Sequence, residues 1–301
     1  MDDIRWGIIG AGNVCEKKSG PAFYKIDHSA LVAVARRDGE KARDFAERHR
    51  VPRYYTRAGE LIADPGVDAV YVATPPDSHA AYAIQALRAG KPVYVEKPMA
   101  MNHAEALEMT RAAEACGQKL FVAHYRRALP YFLKVKELLD AGAIGQPLSV
   151  HASYSRPPSP ADLAADGRNW RVQPAIGGEG YFHDLAPHAL DMLDFLLGEI
   201  EDASGFCRNL GGYYPAKDSF SAALRFKSGV LGSARWNFVC SAASAEDSIV
   251  ITGRQGELRF NTFRFDPIER VTASGVERFA ISPPEHIQQP LIQTIVNELR
   301  G

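Results

Sequence analysis

Trp6-Gly7-Ile8-Ile9-Gly10-Ala11-Gly12-Asn13-Val14-Cys15 reads as an apolar strand running into a glycine turn that opens a helix. The glycines permit a tight turn. They also let backbone N–H groups approach a pyrophosphate at a helix N-terminus. A G-x-G-x-x-G spacing is uninformative by itself, but here it directly follows a strand and precedes a helix, the context it requires. Cys15 stands at the third fingerprint position, where a small residue allows close helix–strand packing. Gly10, Gly12, Asn13 and Val14 are therefore candidate dinucleotide contacts.

Working outward, short apolar runs alternate with helical patterns. Trp6 to Ile9, Leu31 to Ala35, Ala69 to Ala73, Pro92 to Val95 and Leu120 to Ala123 are of strand length and rich in Val and Ile. Continuous apolarity suits strands buried on both faces of a parallel sheet. Residues 39–49, 78–89 and 102–116 carry helical spacing, with Asp38, Ser78 and Asn102 placed as N-caps and Gly90 and Gly117 as C-terminal glycines. Strand–helix alternation predicts a doubly wound α/β Rossmann domain over residues 1–124.

The pattern changes beyond it. A helix is expected over 130–140, a strand over 148–154, and a helix over 181–197. Two hairpins follow, 219–226 with 230–238 and 249–252 with 257–260, and a last helix spans 286–299. Residues 125–301 are thus expected to form a second, α+β domain with a mainly antiparallel open sheet.

Bulk properties exclude several classes. A net charge of −1 gives no field for nucleic acid or anionic lipid. No apolar run approaches the ~20 residues that span a bilayer. The N-terminus lacks the basic and apolar regions of a secretory signal. The four cysteines, Cys15, Cys116, Cys207 and Cys240, form neither C-x-x-C nor a dense framework, which fits reduced thiols in a cytoplasm.

Three further stretches carry chemistry. After the second strand, where NAD-binding folds usually place an acid for the ribose 2′-hydroxyl, stand Arg36-Arg37. Two guanidiniums suit a 2′-phosphate, which favours NADP; if instead Asp38 reaches the ribose, NAD is used. Thr74-Pro75-Pro76-Asp77-Ser78-His79 follows a strand at the carboxyl edge, where ligands bind, and makes Thr74, Pro75 and His79 candidate cofactor neighbours, with His79 read as structural rather than catalytic. In Glu96-Lys97-Pro98, an ammonium can hydrogen-bond a substrate hydroxyl and stabilise a developing alkoxide. Glu96 either pairs with Lys97 or holds the nicotinamide ribose, and the proline is a candidate for a cis bond.

Asp184 and His188, four apart, share a helix face. An imidazole oriented by a carboxylate is a general acid–base near neutral pH. His183, Asp184 and His188 do not match the H-E-x-x-H metal spacing, so no metal is expected. Lys18, Tyr125, Arg127, Trp170, Arg171 and Tyr181 mix aromatic rings and donors in a way that suits a polyhydroxylated ligand, although packing roles serve them equally.

In this order the motifs resemble the Gfo/Idh/MocA oxidoreductase family. The resemblance is carried by Gly10-Ala11-Gly12-Asn13-Val14, Ala73-Thr74-Pro75-Pro76 with His79, Glu96-Lys97-Pro98-Met99-Ala100, Tyr125-Arg126-Arg127, Gly142-Ala143-Ile144-Gly145 and Asp184-Leu185-Ala186-Pro187-His188. It implies that Lys97, Asp184 and His188 form the catalytic set of an NAD(P)-dependent dehydrogenase or reductase, acting on a carbinol or carbonyl of a sugar, cyclitol or similar polyol. It also implies a homodimer or homotetramer assembled through the C-terminal sheet. The chain departs from the family at Cys15, at Glu179 within the run Gly177-Gly178-Glu179-Gly180, and in stopping at Gly301, short of the C-terminal extension of many members. Two other classes use the same features: a nucleotide-binding regulator without turnover, and a glycosidase that oxidises its substrate transiently.

Overall fold

The computed structural model describes residues 3–164 and 169–301. The chain divides into two units. The first runs to Tyr125 and resumes over Pro284–Gly301; the second is Arg126–Pro283.

In the first unit β1 (Ile4–Ile9), β2 (Ser29–Ala35), β3 (Arg53–Tyr55), β4 (Ala69–Val72), β5 (Val93–Val95) and β6 (Leu120–Val122) form a parallel sheet in the order β3-β2-β1-β4-β5-β6. The order reverses at β1, the switch point beside which doubly wound sheets bind nucleotides. Successive residues serve opposite faces. Trp6, Ile8, Tyr71 and Tyr94 join one buried cluster, while Ile9, Val70, Val72, Val93 and Val95 join the other. Two covered faces explain why these strands are continuously apolar. Asp38 caps the Gly39–His49 helix by accepting from Lys41 N at 3.1 Å, and Asn102 caps His103–Cys116 by accepting from Glu105 N at 3.0 Å. Ser78 does not cap its helix; its hydroxyl donates to Thr74 Oγ1 at 2.8 Å and so tightens the preceding loop.

The last helix, Gln289–Arg300, alters the expected division at residues 125–301. Its Ile292, Ile295 and Val296 are buried among Trp6, Phe23, Tyr71 and Tyr94, so the chain returns to complete the first core. Its amphipathic stripe predicts burial, but periodicity does not say against which sheet.

In the second unit β7 (Pro147–Ser155), β8 (Ile200–Arg208), β9 (Ser219–Phe226), β10 (Leu231–Asn237), β11 (Glu246–Gly253), β12 (Gly256–Phe260), β13 (Ile268–Thr272) and β14 (Gly275–Phe279) form one sheet in the order β14-β13-β12-β11-β7-β10-β9-β8. It is antiparallel apart from the β7–β10 pair. On one face Val150, Ala152, Leu224, Phe226, Ala234 and Trp236 are buried. The Gly180–Leu197 helix places Phe182 against that face, stacked on Phe220 with ring centroids 4.1 Å apart. No helix among the described residues is long and apolar enough to cross a membrane.

Ile295→Ala should lower the unfolding free energy of the first unit by about 2–5 kcal/mol, the usual cost of truncating a buried aliphatic chain. Urea denaturation followed by tryptophan fluorescence measures it; an unchanged midpoint would show that the terminal helix is not part of this core.

Candidate functional site

In the first unit the glycine turn follows from close packing. Gly10 has φ +87, and a Cβ there would lie 2.7 Å from Thr74 Cγ2 and 2.8 Å from Thr74 N. Glycine is therefore required where the β1 and β4 carboxyl ends converge. Gly12 differs: a Cβ there would meet nothing of the protein nearer than 3.7 Å. The fold does not demand glycine at position 12, whereas a dinucleotide phosphate lying on the backbone would. Asn13 and Val14 begin the short helix Asn13–Lys17, and its first N–H groups have no intrahelical acceptor. These residues fit a bound dinucleotide. Cys15 is fully buried in the core with Phe23 and Phe45, and burial pushes its thiol up to about 12, so it packs as a small apolar residue and stays protonated.

The β5 end is built around a buried carboxylate. Glu96 Oε1 accepts from Tyr71 Oη at 2.7 Å and from Gln288 Nε2 at 2.5 Å, while Oε2 accepts from Lys97 N at 3.1 Å. Tyr71 Oη also lies 3.1 Å from Ser19 Oγ, and Tyr94 Oη donates to Gln288 Oε1 at 2.8 Å. Burial, then the Glu96 charge, hold both tyrosine hydroxyls well above their ordinary range, so they remain donors. Glu96 therefore turns inward and orders the turn that carries Lys97, which is half-buried and followed by a cis peptide bond to Pro98.

His79 is fully buried, with Nδ1 2.9 Å from Pro98 O and Nε2 2.7 Å from Thr74 O. It braces the Thr74-Pro75 loop against the Lys97-Pro98 turn, and both ring nitrogens are occupied in doing so. Desolvation lowers its pKa. Arg36 and Arg37 follow β2 and are half-buried and exposed. Asp38 is committed to its helix cap and to Lys41 Nζ at 2.7 Å. Lys18 is exposed, and Tyr125 is buried at the end of the unit's first segment.

In the second unit the Gly180–Leu197 helix carries Asp184 and His188. Asp184 Oδ2 accepts from Arg171 Nε at 2.8 Å, and the Arg171 guanidinium lies 4.4 Å over the Trp170 ring. His188 is buried, and its Nδ1 lies 2.7 Å from Arg126 Nη1. A guanidinium thus lies at Nδ1, a neighbour that the sequence spacing does not point to. Arg127 binds Asp191 at 2.7 Å and 2.8 Å, tying the Tyr125–Ala128 turn to the Gly180–Leu197 helix. Tyr181 is buried; its hydroxyl donates to Asp162 and accepts from Asn169 Nδ2 at 2.9 Å, and the Arg156 guanidinium sits 4.0 Å over its ring. Glu179 is exposed and pairs with Lys217 at 3.2 Å. Gly177 is required, because a Cβ there would lie 2.7 Å from the carbonyls of Trp170 and Arg171.

Sequence reasoning missed Tyr71, Ser19 and Gln288 around Glu96, Asp162 and Arg156 around Tyr181, and Arg126 beside His188. Arg126 adjoins the chosen Arg127 in one motif, and nothing local tells the two apart. The others are ordinary polar residues whose partners lie far off in sequence.

Two family models match the chain: an oxidoreductase family with an NAD-binding Rossmann fold over residues 4–124, and the Gfo/Idh/MocA C-terminal domain over residues 132–259. The chain belongs to the Gfo/Idh/MocA oxidoreductase family. It is an NAD(P)-dependent dehydrogenase or reductase. It is 43% identical to an oxidoreductase termed P35 from Formosa agariphila, over 97% of this chain and 90% of that one. It is 29% identical to a 1,5-anhydro-D-fructose reductase from Ensifer adhaerens, over 91% and 80%. A levoglucosan dehydrogenase solved with NADH and levoglucosan is 26% identical, with TM-score 0.83 over 95% of this chain and 83% of that one.

Two predictions concern the buried carboxylates. Tyr71→Phe should cost about 1–3 kcal/mol by removing a donor from Glu96; a denaturation midpoint matching wild type would show that the remaining donors satisfy it. For Asp162, burial raises the pKa, but hydrogen bonds from Tyr181 and Ser159 outweigh it, and the net shift is downward. A carboxyl depressed on folding stabilises above its unfolded value of about 3.9, and that contribution is lost as pH falls through the lower folded value. Asp162→Asn should therefore flatten the acid limb of stability below about pH 4; an unchanged limb from acid titration by circular dichroism would contradict it.

Proposed function

We propose that this enzyme transfers hydride between a nicotinamide dinucleotide, NADP in preference to NAD, and a carbinol or carbonyl carbon of a sugar, cyclitol or similar polyol. The observation that carries the reading is the Glu96-Lys97-Pro98 turn, whose carboxylate is satisfied inside the core so that the ammonium is presented from a rigid strand end. The cofactor, when bound, supplies hydride chemistry; the protein supplies orientation and charge. Gly10, Gly12, Asn13 and Val14 would hold the pyrophosphate, with Thr74 and Pro75 as further cofactor neighbours. Lys97 donates to the reacting oxygen and favours its anionic form. In the second unit His188 and Asp184, with Arg171, Trp170 and Tyr181, are the residues we assign to substrate. Relatives named as a 1,5-anhydro-D-fructose reductase and a levoglucosan dehydrogenase support a cyclic sugar derivative as substrate class.

The NADP preference rests on Arg36 and Arg37. Asp38 caps its helix and binds Lys41, which supports leaving the adenosine ribose to the two guanidiniums. We place the enzyme in the cytoplasm, from the thiol spacing of its cysteines. We also read it as a homodimer or homotetramer through the C-terminal sheet. Phe206 on the edge strand β8 is 82% exposed and Leu231 on β10 is 60% exposed, apolar area that a second copy would cover.

A panel of cyclic sugars and polyols with NADP and NAD, read by nicotinamide absorbance and product analysis, tests the reading. Lys97→Ala should lower kcat by on the order of 10²-fold or more with cofactor still bound, and Arg36→Asp with Arg37→Ser should weaken NADPH far more than NADH. No turnover anywhere on the panel, or cleavage of a glycoside without net reduction, would overturn it.

A further inference from the structure

Arg126 is a buried cation on which three constraints converge. Its Nε donates to Thr262 O at 3.0 Å, its guanidinium lies 4.8 Å over the Phe263 ring, and its Nη1 lies 2.7 Å from His188 Nδ1. The loop that provides Thr262 and Phe263 is itself fixed. The buried Asp247 on β11 accepts from the backbone N–H groups of Thr262, Phe263 and Arg264 at 2.8, 2.7 and 3.1 Å. Phe263 also meets the His188 ring edge-on, with centroids 5.7 Å apart. The guanidinium has no freedom to turn away from the imidazole.

The proton count follows. A guanidinium has only donors and does not lose its charge in proteins. A close contact between it and His188 Nδ1 is a hydrogen bond only if Nδ1 accepts, because a proton there would set donor against donor. Neutral imidazole carries one ring proton, which must then reside on Nε2. Nε2 is consequently an N–H group and has no lone pair with which to take a proton from an alcohol.

We propose that Arg126 is a positioning residue that locks His188 as its Nε2–H tautomer, so that His188 meets the reacting oxygen as a hydrogen-bond donor and not as the base. The proposal rests on the reading of His188 as a residue that addresses substrate. It reverses the role that Asp-x-x-x-His spacing suggests, because the group on Nδ1 is a cation. A donor of this kind suits a carbonyl. The bound dinucleotide would supply hydride to the carbonyl carbon; the C=O π pair would move to oxygen, and the Nε2–H bond would stabilise that charge. The proton that completes the hydroxyl is supplied by an ammonium group or water, since a neutral imidazole would have to become an anion to supply it. The same contact in reverse lowers the cost of forming alkoxide from alcohol.

The test is a ¹⁵N–¹H correlation spectrum of the full-length protein labelled at histidine, with His188 assigned from the signal lost in His188→Asn. The expected result at neutral pH is a protonated Nε2 and an unprotonated Nδ1. A protonated Nδ1, in either the neutral or the doubly protonated ring, would overturn the proposal. Arg126→Met should release the ring to a mixture of tautomers. It should also lower kcat by on the order of 10²-fold while the dissociation constant of the nicotinamide cofactor, measured by fluorescence, stays within about twofold. Arg126→Lys, which restores one donor, should recover both the spectrum and part of kcat. A fall in kcat with the tautomer unchanged in Arg126→Met would assign Arg126 a structural role only and sink the proposal. If Arg126→Met does not fold, the wild-type and lysine spectra still decide. A correct tautomer in a protein that turns over no polyol would count against the proposed substrate class and leave the Arg126–His188 lock intact.

Discussion

A carboxylate held in an apolar interior is the constraint around which the nucleotide-binding unit is arranged. Desolvating Glu96 costs several kcal/mol unless its oxygens are satisfied, and three donors from three places meet that demand. Tyr71 comes from the neighbouring strand, Gln288 from the returning C-terminal segment, and the Lys97 N–H from the turn itself. Hydrogen bonds to an ionised group each contribute about 1.5–3 kcal/mol, so the set offsets the burial only when all elements are in place. The carboxylate thereby makes the position of Lys97 conditional on the whole first core, terminal helix included.

The second unit uses the opposite charge in the same way. Arg126 is buried, and the Thr262 loop that accepts from its Nε is anchored by the buried Asp247 through backbone N–H groups. Asp162 repeats the pattern near the start of the Gly180–Leu197 helix, gathering Tyr181, Asn169, Ser159 and Arg156. Each buried ion costs stability in isolation, and each has hydrogen-bond partners from more than one segment of the chain. Such networks are worth more for holding one geometry than for net stability, which is what an oriented hydride transfer requires.

Where local pattern reflects burial, the chain was readable. Runs such as Val70-Tyr71-Val72 and Val93-Tyr94-Val95 are apolar because both sheet faces are covered, and Gly10 is glycine because Thr74 passes within contact distance. Where burial is absent, the pattern is absent. β8 is exposed along almost its whole length, β14 likewise, and β3 is a three-residue edge strand. None of these three was anticipated, because an edge strand with little covered surface carries no hydrophobic period.

By itself the sequence determined the Rossmann architecture and the family, since turn glycines, caps and buried runs are properties of neighbouring residues. Tertiary structure alone decided that the terminal helix completes the first core, that Glu96 faces inward, which carbonyls His79 braces, and that Arg126 rather than Arg127 meets His188. Those outcomes join groups 192 positions apart for Glu96 and Gln288 and 62 apart for Arg126 and His188. Which of two identical side chains is buried depends on the direction each leaves the backbone once the elements have packed, and no local spacing encodes that.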